Sequence, residues 1–294
     1  MDLKDIEKRI DANDREIVEL MKKRLKLTEE AAQFKKENDL SIRIEGREVE
    51  IIDNIMATTD APYDKYMCAI FYSILDSCAA YQSSLVNVSS PVVRRIEKAL
   101  EEMTDEFPKE ATVACQGIPG ASTEAAVKAM ISVPHIQYYN SFEKVVDTVL
   151  GGEARYGVFP LENSKYGSIG AVYDYMHDHN FYMVRSTKRM INGNYTKFVC
   201  IGRDLEIHKE DDKISLMMHM ENKPRALYHI VGRLSSLGIN IDKIASRPLK
   251  GSVFDYLIYM DFDASVLLPE VRATLAQMDN ELEQFRFLGS HHEV

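Results

Sequence analysis

Leu3, Ile6, Ile10, Asn13, Ile17, Leu20, Arg24, Leu27, Ala31 and Phe34 follow one another at strictly alternating spacings of three and four residues. That spacing permits little besides one long helix with a heptad-like stripe, roughly 50 Å long at about 1.5 Å per residue. A stripe of that length needs partners along all of it. Positions 47–56 predict a second helix and 63–85 a third, with Tyr66, Ile70, Ile74, Cys78 and Tyr81 on one face. Three helices of such unequal length cover the stripe poorly within one chain, so the pattern predicts an intertwined homodimer.

The period changes further along. A linker-like stretch at 86–91 leads into a charged helix at 93–102. From Thr112, short β-like runs alternate with helical ones: TVACQG, a helix near 123–131, IQYYN, a helix at 142–150, YGVFPLEN, a helix near 171–177, FYMVRS and YTKFVCIG. This alternation predicts one α/β lobe wound on a mostly parallel sheet. From Lys213 the order becomes strand KISLMMHM, helix 226–237, strands INIDKIAS and FDYLIYMDF, helix 268–278 and strand FRFLG. That βαββαβ order is ferredoxin-like.

Composition excludes several classes. The net charge is −10, which disfavours a nucleic-acid partner held by charge. The opening MDLKDIEKRID has no apolar signal core, and no run of about 18 apolar residues follows, so no membrane partner is expected and the chain reads as cytoplasmic. Cys68, Cys78, Cys115 and Cys200 are widely spaced with no CxxC, as reduced thiols would be. The eight histidines show no metal-ligand spacing, and His291 and His292 read as part of the tail. No metal or other cofactor is expected.

Arg24 occupies a stripe position that should be apolar, so it is buried, snorkelling or aimed at a ligand. Lys35 lies on nearly the same face, eleven residues on. Arg47 and Glu48 open the second helix, and Gln82 lies one turn beyond Cys78 on the third. Cations, one carboxylate and one amide therefore face a helical core. The competing reading is a solvated helix surface with a structural charge in the stripe.

In order and spacing, I-D-x-x-D at 10–14, Arg24, Lys35, Arg47-Glu48 and Gln82 resemble the all-helical chorismate mutases. All three segments in series resemble the bacterial P-protein, in which a chorismate mutase, a prephenate dehydratase and an ACT regulatory domain share one polypeptide. The resemblance implies that Arg24 and Arg47 grip the carboxylates of chorismate, that Lys35 and Gln82 face its ether oxygen, and that Glu48 accepts from the ring hydroxyl. The chemistry suits those residue types. The rearrangement to prephenate is pericyclic and needs no nucleophile, only a held dianion and stabilised charge on the breaking ether oxygen. Guanidinium groups bind carboxylates bidentately. Glu7 stands where the family has an arginine from the partner subunit, Ile44 where it has an acid, and Cys78 where it has a serine.

ACQGIPGASTEAA (114–126) and YGVFPLENSKYGSIGAVYDYM (156–176) resemble the glycine-rich turn and P-x-E-N-S signature of prephenate dehydratases, and NGNYTKF (192–198) resembles their N-x-T-R-F motif. The resemblance implies dehydratase-type roles for Glu162, Asn163, Ser164 and Thr196. The glycine-rich turn reads either as an anion cradle at a helix N-terminus or as an ordinary tight turn. Only 187–193 separate FYMVRS from NYTKF, and no S-H-P-Q string occurs, so the family's second lobe is missing. The expectation is a single lobe closed by a turn at 192–194, with half a cleft open to solvent and an inactive dehydratase. KPRALYHIVGRLSSLGINIDKIASRP (223–248) resembles the ACT segment of P-proteins, which implies a phenylalanine effector at Ala226, Leu227, Ser246 and Arg247. Arg225 replaces that family's glycine and Ala245 its glutamate.

The expected fold class is therefore multidomain: all-α mutase helices at 1–90, a single α/β lobe (half of a periplasmic-binding-protein-like dehydratase fold) at 111–204, and a ferredoxin-like ACT domain at 212–292. The expected function is chorismate mutase in phenylalanine biosynthesis, as a cytosolic homodimer joined through the helical and ACT domains. Two alternatives stay open: a bifunctional mutase/dehydratase making phenylpyruvate, and a non-catalytic regulator of shikimate-pathway enzymes.

Overall fold

The computed structural model describes residues 2–38, 40–44, 46–86, 89–191, 193–220, 222, 225–248 and 256–294. Asn87 and Val88 of the linker-like stretch, Asn192 of the turn, Lys223 and Pro224 of the ACT-like string, and Phe254 and Asp255 of the strand beginning FDY lie outside them. The chain divides into two compact units, Met1–Val88 with Val231–Ser236 and Ser89–Ile230 with Leu237–Val294.

The first unit contains α1 (Leu3–Glu37), α2 (Arg47–Thr58) and α3 (Asp64–Val86). Gly46, with φ 81°, turns the chain into α2 in the left-handed region that glycine tolerates best. Burial on α1 is confined to its second half, at Thr28 and Ala32, whereas residues 2–20 are all exposed. Leu20, Leu27 and Phe34 of the stripe are each more than 60% exposed. One chain thus leaves most of the stripe in water. The small core of this unit is drawn from Ala32, Ile52, Cys78 and Ala79.

The second unit begins with α4 (Pro91–Glu101), whose first turn is capped by Ser90 Oγ accepting from Val93 N at 3.2 Å. Then come β1 (Glu110–Gln116), α5 (Ser122–Met130), β2 (Val133–Tyr139), α6 (Phe142–Leu150), β3 (Tyr156–Asn163), β4 (Gly167–Ser168), α7 (Gly170–Asp178), β5 (Tyr182–Ile191) and β6 (Asn194–Gly202). The chain continues through β7 (Lys213–Met220), α8 (Ala226–Ser236), β8 (Ile241–Pro248), β9 (Tyr256–Asp263), α9 (Pro269–Glu281) and β10 (Phe285–Glu293). Among the described residues these strands form one sheet in the order β2-β1-β3-β6-β5-β10-β7-β9-β8, with β4 on β3.

The sheet is mixed rather than mostly parallel. Within the α/β lobe β2, β1 and β3 run parallel as the alternation predicts, but β6 is antiparallel to both β3 and β5. The reason is the short connection at Gly193, φ 78°, which leaves no room for a crossover helix and makes β5–β6 a hairpin. The last strand also runs further than expected. His291 and His292 belong to β10, not to a tail, and β10 pairs in parallel with β5 through His292–Arg185 and Glu293–Ser186. Val294 N donates to Ser186 O at 2.9 Å, and Thr187 Oγ1 donates to Val294 O at 2.6 Å. Gly289, φ 147°, allows this close approach, since a Cβ there would overlap the Met183 carbonyl.

Two cores flank the sheet. On one face, Val145, Val172, Met176, Phe159, Leu161, Val199 and Ile201 pack with Met217, Leu257 and Tyr259. On the other, Ala126, Val127 and Met130 of α5 pack against Val113, Val158, Phe198 and Cys200. Among the described residues no helix is long and apolar enough to cross a membrane.

Candidate functional site

The helical unit brings Lys35 and Gln82 together. Lys35 Nζ donates to Gln82 Oε1 at 2.9 Å and also to the Ile42 carbonyl. Gln82 is buried and Lys35 half-buried, and that burial lowers the lysine pKa. Because the amide oxygen faces a donor, the Gln82 Nε2 donors point elsewhere and meet no partner among the described residues. Arg24 is half-buried, and its Nε is sealed from water with no acceptor among the described residues. Glu48 is also half-buried, and it is held by Arg43, whose other guanidinium nitrogen donates to buried Asp76 at 2.6 Å.

Arg47 is not brought to this group. It is exposed and pairs with Glu50 at 2.8 Å. Sequence reading missed Arg43 and Asp76. The one available signal was Asp76 itself, a carboxylate two residues before the buried Cys78 in an otherwise apolar helix. Glu7 and Ile44 are exposed, and Cys78 is buried.

In the sheet unit, Asn163 and Thr196 meet across β3 and β6, with Asn163 Nδ2 donating to Thr196 Oγ1 at 2.8 Å. Asn163 Oδ1 also accepts from Lys165 N and Tyr166 N, which fixes the turn after β3. Ser164 Oγ accepts from Tyr195 N at 3.0 Å. Glu162 departs from this group. Its carboxylate meets Lys243 Nζ of β8 at 2.5 Å, and the same lysine donates to Ser168 Oγ at 3.0 Å.

The expected half-cleft open to solvent is therefore corrected. Thr196 is buried, and Lys243 of β8 reaches Glu162 of the P-x-E-N-S segment, whose Ser164 stays exposed. The physical reason is the β5–β10 junction, which carries the C-terminal strands onto the sheet edge left by the hairpin. The glycine-rich turn holds its own anion. Gly120 N donates to Glu124 Oε2 at 2.6 Å, and Lys128, Gly120 N–H and the Tyr138 hydroxyl bring the Glu124 pKa down to about 2.

Lys197, read from sequence as a variant of an arginine motif position, forms a buried ion pair with Asp261 of β9 at 2.8 Å. Ser215 Oγ donates to the same carboxylate at 2.6 Å, and the Tyr259 hydroxyl donates to it as well. His291 stands between Ser215 (Nε2, 3.0 Å) and Ser186 (Nδ1, 3.4 Å). Since the Ser215 proton goes to Asp261, His291 donates through Nε2. Burial opposes the charges of this pair. For Lys197, Asp261 and Glu293 outweigh it and raise the pKa, and for Asp261, Lys197 and its hydrogen bonds outweigh it and lower the pKa.

Of the effector positions, Arg247 reaches Asp174 of α7 at 3.5 Å, while Ser246 faces outward and Leu227 is exposed. Ala226 is half-buried at the start of α8. Arg225 adopts φ 71°, the region glycine favours, with its guanidinium 4.7 Å from the Tyr228 ring centroid.

Residues 6–83 match the family model for chorismate mutase type II, and residues 113–195 match the one for prephenate dehydratase. The chain is 22% identical to the bifunctional chorismate mutase/prephenate dehydratase of Aquifex aeolicus, over 99% of this chain and 98% of the relative. That alignment runs to 358 positions against 294 residues here, so the relative has positions with no counterpart in this chain. Prephenate dehydratase from Streptococcus mutans shares 26% identity at a TM-score of 0.55, over 62% of this chain and 98% of that one. The Arthrobacter aurescens enzyme, solved in complex with L-Phe, shares the fold at 18% identity and a TM-score of 0.54, over 62% and 90% of the two chains.

Proposed function

We propose that this chain is a P-protein, a chorismate mutase domain followed by a prephenate dehydratase domain, in which only the first of the two family activities is retained. The observation that carries this reading is the Lys35–Gln82 contact. It brings an ammonium and an amide from two helices side by side, and both are donor-bearing groups of the kind that charge developing on an ether oxygen requires. Arg24, with its buried and unpartnered Nε, supplies a guanidinium to a substrate carboxylate. Glu48 accepts from the ring hydroxyl, and Arg43 and Asp76 position it. Arg47 exchanges its exposed pairing with Glu50 for the second carboxylate. The enzyme is a homodimer, because the exposed stripe of α1 needs a second copy of itself.

The dehydratase-like lobe serves structure. Thr196 is buried with its hydroxyl engaged by Asn163, and Glu162 is neutralised by Lys243, so neither is free to act on prephenate. The C-terminal strands and helices form a ferredoxin-like, ACT-like module. The sheet order β10-β7-β9-β8 and the βαββαβ element order support that assignment. In this module Arg225 and Ala245 weaken phenylalanine binding. The proposed domains are 1–90, 111–204 and 212–292, in a cytoplasmic protein.

The test is the product formed from chorismate. Prephenate accumulating without phenylpyruvate is the expected result. Phenylpyruvate formed from prephenate near neutral pH, well above the no-enzyme control and abolished by Thr196→Ala, would establish the bifunctional reading. No turnover of chorismate at all would leave the regulator.

A further inference from the structure

A cavity of about 550 Å³ lies in the sheet unit between α4, the end of α7, the start of β5 and strands β7, β9 and β10. None of its lining belongs to the residues discussed above as mutase, dehydratase or effector positions. Three arginines from three separate elements line it: Arg95 of α4, Arg203 after β6 and Arg286 of β10. Arg203 is engaged by Asp204 at 3.3 Å. The other two have no carboxylate within ion-pair distance among the described residues, in a chain whose net charge is −10.

Arg286 is fixed in place. One of its terminal nitrogens donates to the His177 carbonyl at 2.9 Å and the other to the His179 carbonyl, so the guanidinium caps the C-terminus of α7. That role explains two of its donors. It does not explain why a second guanidinium stands nearby with neither held in an ion pair among the described residues. Burial lowers the Arg286 pKa and Arg95 pushes it the same way, while Tyr182 and Asp178 act against them. An anion placed between the two would relieve both the desolvation and the repulsion. The rest of the wall is mixed: Phe181, Met217 and Phe287 form an apolar stretch beside His177, Asn180 and Gln284, and the volume is that of a small-molecule site.

We propose that this cavity binds a small organic carboxylate, its anionic group held between Arg95 and Arg286 and its apolar, ring-sized body laid against Phe181, Met217 and Phe287. The site does not depend on the mutase reading, since its residues all belong to the sheet unit.

The experiment titrates the full-length protein calorimetrically with 3-phenylpropanoate and with neutral 3-phenylpropanamide, in the wild type, Arg95→Gln and Arg247→Gln. The expected result is saturable binding of the carboxylate and at least tenfold weaker binding of the amide. Arg95→Gln should weaken carboxylate binding at least tenfold, whereas Arg247→Gln should leave it unchanged. Arg95 is exposed on α4, so its loss should not move the melting temperature. Absence of saturable binding at millimolar concentration, equal binding of acid and amide, or binding that survives Arg95→Gln would overturn the proposal. So would binding lost in Arg247→Gln, which would place the ligand at β8.

Discussion

Lys35 and Gln82 lie 47 positions apart in the chain and 2.9 Å apart in space. One comes from the last turn of α1 and the other from the end of α3, so the contact exists only when the two helices pack. Replacing either residue by alanine should lower kcat/KM for chorismate by roughly 100-fold, since a charge-assisted contact to a developing anion contributes about 3 kcal/mol. Because burial lowers the Lys35 pKa, its protonated form is lost as pH rises through a value below the ordinary lysine range. Turnover should therefore fall on the alkaline side earlier than a solvated lysine would dictate. A pH–rate profile in which Lys35→Arg keeps its activity at higher pH would support this, and an identical alkaline limb in both would contradict it.

Arg43 and Arg47, four residues apart, should separate stability from catalysis. Arg43→Ala removes the guanidinium held against the buried Asp76 carboxylate and should cost about 3–5 kcal/mol of unfolding free energy. Adding Asp76→Leu should recover much of that loss. Arg47→Ala removes only an exposed pair and should change stability by less than about 0.5 kcal/mol, while lowering kcat/KM roughly 100-fold. Equal losses of melting temperature in the two variants would refute the distinction.

Glu7 places a negative charge where the resemblance to the helical chorismate mutases implies an arginine from the partner subunit. Glu7→Arg should raise kcat/KM for chorismate, with a larger gain at low ionic strength, where exposed charges are least screened. An unchanged rate at all salt concentrations would show that this position does not face the substrate.

His291 should make the sheet unit acid-sensitive. Burial lowers its pKa to about 4, whereas in the unfolded chain it titrates near 6.5. Between those values the unfolded state holds the extra proton, so stability rises with pH, by up to about 1.4 kcal/mol per unit. The contribution is present above the unfolded value and is lost as pH falls through the folded one. Asp211, which burial pushes up to about 7, acts with the opposite sign over much of the same range. The difference between wild type and His291→Gln therefore isolates the histidine. Urea unfolding at pH 7 and at pH 4.5 should show a smaller acid loss in the variant, and parallel losses would rule the histidine out.

The α1 stripe, the three helices and the alternation after Thr112 are local properties of spacing, and they were legible in the sequence for that reason. Lys35 and Gln82 could be picked out as candidates for the same reason, one by its spacing from Arg24 in the stripe and the other by its spacing from Cys78. Arg43 was not, because a loop residue has no periodicity to violate, and its partner Asp76 comes from another helix. The missing second lobe was readable as a short count of residues between two strings. What took its place was not. That depended on β10 docking beside β5, on Gly289 admitting the Met183 carbonyl, and on Lys197 finding Asp261 at a separation of 64 residues. Sheet-edge pairing and buried ion pairs are non-local, and their energy depends on which chain segments share a dry interior. The sequence by itself determined the elements and most of the candidate mutase residues. Tertiary packing alone decided that Thr196 is sealed, that Glu162 is neutralised and that two arginines face one cavity.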